Sequence, residues 1–183
     1  MIPAPAVVLI TGIQAAGKST VAQLLAERLP RSVHLRGDLF RRMVVGGRAD
    51  MTPGLSEEAV RQLRLRHRLT ALVADEYFRE GFTVVAQDVI LGDHLPELVE
   101  RIHARPLLVV VLAPRPEAVA AREAARSKNT YDEWTITQLN EALHTETPHL
   151  GLWLDTSNQT PAQSVDEILT SAWPAAQIPS VRN

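Results

Sequence analysis

The sequence predicts a single α/β domain: a five-stranded parallel sheet, order 2-3-1-4-5, with helices on both faces. Three observations carry this expectation. Apolar runs of strand length recur at Val7 to Ile10, Ser32 to Leu35, Phe82 to Ala86, Pro106 to Ala113 and Leu150 to Leu154, with segments of helical periodicity between them. The run at 106–113 is apolar without alternation, as a central parallel strand covered on both faces requires. A glycine-bearing loop, Asp38 and Asp88 follow the first three strands, at the edge where open sheets of this kind receive ligands.

Gly12 to Ser19 reads GIQAAGKS between the first strand and a helix carrying Val21, Leu24, Leu25 and Leu29. That G-x-x-x-x-G-K-S spacing in a strand, loop, helix context is a phosphate-binding loop, and it places the chain in the P-loop nucleoside-triphosphate-hydrolase fold. Gly12 and Gly17 let the backbone curl around a polyphosphate, with Ile13, Gln14, Ala15, Ala16 and Thr20 completing the cradle. Lys18 is expected at the β- and γ-phosphates of ATP, and the Ser19 hydroxyl on Mg²⁺.

A short second strand ends at Arg36-Gly37-Asp38, and residues 39–45 follow as a short helix. A polar stretch from Gly46 to Gly54 reads as a mobile loop over the site. Ser56 caps a long helix over 57–80, whose buried face is assigned to Leu65, Leu69, Leu72, Val73 and Phe78, while Arg61, Arg64, Arg66 and Arg68 read as a solvated face. The third strand leads into Gln87-Asp88, in the form of a second nucleotide-site motif in which a carboxylate organises the metal. A helix over 96–103 and the central fourth strand follow. A helix from Glu117 then carries Arg122 and Arg126 at i, i+4, and a further helix, capped by Asp132, runs through Trp134 to about His144. Together 115–147 form a helical lid. The fifth strand opens into Asp155 to Pro161, a closing helix covers Val165, Ile168 and Leu169, and a frayed tail occupies 174–183. The motif positions give the strand order, since Asp38 and Asp88 must stand beside the phosphate loop.

With 183 residues, 45% of them hydrophobic, the chain suits one core and one domain. No cysteine is present, which excludes disulfides and thiolate metal sites and agrees with a reducing cytoplasm. No apolar run approaches the ~18 residues of a membrane span, and no basic leader precedes the first strand, so a soluble cytoplasmic protein is expected. A net charge of −2 gives no general attraction to nucleic acid or anionic membrane.

Phosphoryl transfer needs charge neutralisation, in-line positioning and a group to take the acceptor's proton. Asp38, at a strand end, is the candidate general base, with Asp88 as the alternative. Arg122 and Arg126 are candidates for placing guanidinium groups on the transferring phosphate.

GIQAAGKST, RGDLFRRM, QDVILGD, AREAARSKNTY and LDTSNQTP, in this order from about Val7 to Leu169, resemble the chloramphenicol phosphotransferase-like branch of the small P-loop kinases. The resemblance implies ATP- and Mg²⁺-dependent phosphorylation of a hydroxyl on a small molecule, possible antibiotics included. It places the phosphate-loop lysine on Lys18, the metal-binding hydroxyl on Ser19 and the catalytic aspartate on Asp38. The acidic turn falls on Asp88, the lid arginines on Arg122 and Arg126, and the adenine-side loop, with Thr156 and Asn158, on 155–161. Where the family has a pair of acids, this chain carries Gln87-Asp88.

Two other readings keep the phosphate loop. Asp38 and Arg41 also match the D-x-x-R of polynucleotide 5′-hydroxyl kinases, with Arg61 to Arg68 along a nucleic-acid backbone, although eight aromatic residues and a negative net charge count against that. A nucleotide-dependent switch would need no acceptor pocket. A small hydroxylated substrate is the expected partner.

Overall fold

The computed structural model describes residues 5–125 and 135–178. Its centre is a parallel sheet of β1 (Val7–Thr11), β2 (Ser32–Arg36), β3 (Thr83–Gln87), β4 (Leu107–Leu112) and β5 (Leu152–Leu154) in the order β2-β3-β1-β4-β5, as expected. β1 pairs Val7 with Val84 on one side and Val7 with Leu107 on the other, and every residue of β1, β3 and β4 is buried. Continuous apolar strands lie in the middle of such a sheet because helices cover both faces.

Those helices are α1 (Lys18–Glu27), α2 (Asp38–Arg42), α3 (Glu57–Arg79), α4 (His94–Arg101), α5 (Pro116–Ala124), α6 (Ile136–Glu141) and α7 (Pro161–Ala175). The Ser56 hydroxyl accepts from the Ala59 N–H and caps α3, as its sequence signature predicts. The buried face of α3 differs in part from expectation. Val73 and Phe78 pack against the core as expected, but Leu65 and Leu72 are exposed, and Ala59, His67, Thr70, Ala71, Ala74 and Asp75 are buried. Small side chains let the helix approach the sheet closely, and the Asp75 carboxylate accepts the N–H groups of His103 and Ala104 beyond α4.

Asp132 and Trp134 lie outside the described residues, and α6 is capped by Thr135: its hydroxyl accepts from the Gln138 N–H, and the Gln138 side chain accepts from the Thr135 N–H. A π-helical turn (Ala142–Glu146) extends α6. Thr147 then donates its hydroxyl to the Ala142 carbonyl and accepts the Gly92 N–H, tying this segment to the turn after β3.

The tail expected to fray from residue 174 does not do so at once. α7 runs to Ala175, and β6 (Gln177–Ile178) pairs antiparallel with Leu107–Leu108 of β4. β5 pairs with Val110–Leu112 and leaves the first half of that β4 edge open, which β6 fills. Among the described residues no helix is long and apolar enough to cross a membrane.

Candidate active site

β1 delivers the phosphate loop. Gly12 has φ +145°, and a Cβ there would stand 2.4 Å from the Leu112 carbonyl oxygen, so the loop leaves the sheet through a space only glycine fits. Ala15 (φ +59°) and Gly17 (φ +99°) are left-handed within a loop closed by the Ala16 N–H on the Ile13 carbonyl, the alternation that builds an anion-binding nest. Ile13, Ala15 and Ala16 are buried, and Gln14 lines the cleft described below. Lys18 is 8% exposed, its Nζ donating to the Ile13 carbonyl at 2.7 Å, which holds the ammonium across the loop. Ser19 and Thr20 are exposed on the first turn of α1. These residues fit a polyphosphate.

Asp88 is expected at Mg²⁺ beside Ser19, yet the side chain that reaches Ser19 is Gln87, whose Nε2 donates to Ser19 Oγ at 3.2 Å. Gln87 ends β3 and reaches α1 at Ser19, while Asp88, the next residue, lies within electrostatic reach of Lys18 and pairs with Arg66. Asp88 Oδ1 accepts from Arg66 Nη2 and from the Val89 N–H at 2.8 Å, while Oδ2 occupies the space a side chain on Gly37 would need, with a Cβ there 2.2 Å away. Asp88 is 5% exposed. Burial pushes its carboxyl above the ordinary range, against the charges of Arg66 and Lys18 and the bonds from Val89 and Arg66. The Thr11 hydroxyl donates to the Ile90 carbonyl and accepts the Ile90 N–H, anchoring this turn to β1. Ser19 fits a hydrated Mg²⁺. Among the described residues no group of three His, Cys, Asp or Glu side chains forms a cation site, and Mg²⁺ at a nucleotide commonly takes one or two protein ligands with waters and phosphate oxygens.

Asp38 opens α2 and faces the same cleft. Arg41 Nε donates to its Oδ1 at 2.8 Å, and Arg42 Nε stands 2.7 Å from Oδ2. Burial works to raise its carboxyl, but the hydrogen bond from Arg41 and the charges of Arg41, Arg42 and Arg66 outweigh it and hold the group below its ordinary value. Arg41, the arginine of the D-x-x-R match, spends its guanidinium within the chain, on Asp38 and on Asp50 at 2.9 Å. That second pair ties the 46–54 loop to α2, and Gln62, which donates to the Gly47 carbonyl and accepts the Ala49 N–H, pins it onto α3.

Arg122 reaches the phosphate loop. Its Nη1 donates to the Ala16 carbonyl at 3.1 Å and its Nη2 to the Thr156 carbonyl at 2.5 Å, so one guanidinium joins that loop to the loop after β5. Thr156 is buried, Ser157 Oγ accepts the Arg115 N–H, and Asn158 Oδ1 accepts from Arg115 Nη2 at 3.4 Å. Arg126 lies outside the described residues.

The loop, Lys18, Ser19, Asp38, Arg41, Gln87 and Asp88 line one cleft of about 1500 Å³, which continues along α3 to the start of α4 and to α6. Sequence reasoning missed Arg66, Gln87, Thr11 and Gly37. Gln87 carried a signal, as the amide at a position where an acid pair was expected; Arg66 was one of four arginines on a helix with nothing local to separate it.

A phosphate loop at the head of the central strand of a 2-3-1-4-5 sheet defines a P-loop α/β nucleotide-binding domain. The chain belongs to the AAA domain family (AAA_33), whose model matches residues 7–148. It is 29% identical over 142 residues to a UPF0200 protein of Aeropyrum pernix, covering 76% of this chain and 75% of that one. Its fold is shared with a sugar kinase from Janibacter sp. HTCC2649 (TM-score 0.68, 20% identity, 97% of this chain and 100% of that one). It is shared also with the tunicamycin resistance protein of Deinococcus radiodurans (TM-score 0.67, 18% identity, 96% and 99%).

Proposed function

We propose that this chain is an ATP-dependent phosphotransferase that moves the γ-phosphoryl group to a hydroxyl of a small molecule. The observation that carries this reading is that Lys18, Ser19 and Asp38 line one and the same cleft. A switch module needs no such acceptor space. A polynucleotide kinase would need arginines available for phosphates, but Arg41 is paired with Asp38 and Asp50, Arg61 with Glu58, Arg64 with Glu97 and Arg66 with Asp88, which leaves Arg68 as the arginine of the 61–68 run unpaired among the described residues. The resemblance to the chloramphenicol phosphotransferase-like kinases and the shared fold with a sugar kinase and an antibiotic-resistance protein support a small hydroxylated acceptor.

In this reading the acceptor oxygen bonds to the γ-phosphorus, the bond from that phosphorus to the bridging oxygen breaks, ADP leaves, and the hydroxyl proton passes to the Asp38 carboxylate. Lys18 and the loop N–H groups hold the charge of the phosphates, and Arg122, already at the Ala16 carbonyl, adds a guanidinium beside them. Arg41 and Arg42 keep Asp38 ionised and fix its orientation. Ser19, oriented by Gln87, would hold Mg²⁺, which when bound neutralises phosphate charge. Thr156 and Asn158 would flank the nucleobase, and residues 115–147 would act as the lid. The test is ADP release screened across hydroxylated antibiotics, sugars, nucleosides and 5′-hydroxyl oligonucleotides, with Lys18→Ala as blank. Transfer to oligonucleotides alone would refute the small-molecule reading.

A further inference from the structure

His67, on α3, lines the cleft, is 2% exposed, and has no hydrogen-bond partner on either ring nitrogen. Buried polar groups without partners are rare in native folds because their desolvation goes uncompensated, and a binding site is one of the places where they persist. Its charged neighbours pair in part, with Arg66 Nε, Asp88 Oδ2 and His94 Nδ1 also buried without a hydrogen-bond partner among the described residues. Arg66 is paired with Asp88, and Glu97 stands 3.5 Å from Arg64 Nη2 and 3.6 Å from His94 Nδ1. The His94 ring meets His67 edge-on, centroids 5.6 Å apart. Leu63, Leu69 and Leu91 line the same cleft.

The protonation state narrows what the ring can bind. Burial, then the charges of Arg66, His94 and Arg101, push its pKa down to about 3, so the imidazole is neutral throughout the physiological range. A neutral imidazole offers one N–H donor and one lone pair. A hydroxyl complements both by accepting and donating, whereas a carboxylate or a fully ionised phosphate can only accept and an ammonium can only donate.

We infer that His67 binds a second, uncharged hydroxyl of the acceptor, so that the substrate is a neutral polyhydroxylated molecule anchored at one hydroxyl while another reacts at Asp38. The inference rests on reading this cleft as the acceptor pocket, and it makes His67 a specificity-determining residue that the transfer chemistry itself does not need.

Two measurements test it. Full-length protein labelled with ¹⁵N-histidine is titrated with glycerol, D-ribose and D-glucose, and separately with acetate and inorganic phosphate, with His67→Gln used to assign the ring-nitrogen signals. At least one polyol should shift the His67 nitrogens while leaving the neutral ring signature intact, and the anions should leave them in place. For acceptors found by ADP release, His67→Phe should raise KM about fivefold to tenfold with kcat within about twofold of wild type, as expected for one lost hydrogen bond. His67→Gln should recover most of that loss, and an acceptor lacking the second hydroxyl should not distinguish His67→Phe from wild type. No shift with any polyol, a shift with the anions alone, or an unchanged KM in folded His67→Phe protein overturns the inference. Shifts without transfer to any acceptor would sustain the site while refuting the kinase reading. Transfer with unmoved nitrogens and unchanged KM would do the reverse.

Discussion

Replacing His67 by phenylalanine should flatten the acid side of the fold's stability profile, whatever the protein's substrate. The ring has an ordinary pKa of 6.5 once unfolded and about 3 in the fold, where burial and then the charges of Arg66, His94 and Arg101 oppose protonation. Because the folded value is the depressed one, the unfolded chain binds the extra proton between these two values. The native state is therefore favoured above about pH 6.5 and loses that advantage as the pH falls toward 3. At pH 5 the unfolded form gains about 2 kcal/mol from this proton, and at pH 7 only about 0.2 kcal/mol. Phenylalanine fills a similar volume and does not titrate. Urea unfolding followed by far-ultraviolet circular dichroism at pH 7, 6 and 5 should show wild type losing about 2 kcal/mol more than His67→Phe over that range. Groups such as His34 and Asp38 titrate in both proteins and cancel in the difference. Parallel profiles, within about 0.5 kcal/mol, would refute the reasoning by showing that the ring is hydrated or paired in solution.

Four further outcomes follow from the site. Lys18→Ala should abolish turnover and weaken nucleotide binding, read by ADP release and by calorimetric titration with ATP. Asp38→Asn should leave ATP binding nearly intact and lower transfer by at least about a hundredfold; near-normal transfer would remove Asp38 from the base role. Gly37→Ala is informative through its sign. Gly37 has a helical φ of −58°, where alanine ordinarily adds about 0.4–1 kcal/mol of stability, but its Cβ would lie 2.2 Å from Asp88 Oδ2, so urea melts should show a loss instead. Arg66→Ala leaves the buried Asp88 carboxylate unpaired and should cost about 3–5 kcal/mol, whereas Arg66→Met combined with Asp88→Leu should recover most of it in the same melts.

The geometry of the phosphate loop was legible because it is local. A tight turn, a lysine and a hydroxyl must sit within eight consecutive residues, and Gly12 and Gly17 take the backbone angles that their spacing implies. The strand order was legible for a related reason, since acids at strand ends are useful only beside that loop. What escaped depended on contacts distant in sequence. Arg66 and Asp88 are 22 residues apart, and nothing in the helical pattern distinguishes the arginine that turns inward from its solvated neighbours. The face of α3 was assigned only in part: Val73 and Phe78 do pack against the core, but Leu65 and Leu72 do not, because leucines outrank alanines in a hydrophobic pattern although close approach to a sheet favours small side chains. The contact of Gln87 with Ser19 escaped as well, because it joins residues 68 apart in the chain.

The anchoring of the 46–54 loop also bears on how such a chain can diverge. Gln62 and Arg41 fasten the loop to α3 and α2, while the buried Arg66–Asp88 pair fastens α3 to the end of β3. The loop can therefore change length and composition between its fastenings without disturbing the register of α3 against the phosphate-binding strand. Under the proposed phosphotransferase reading, the part of the cleft wall that this loop supplies can vary while the phosphate-binding strand keeps its place.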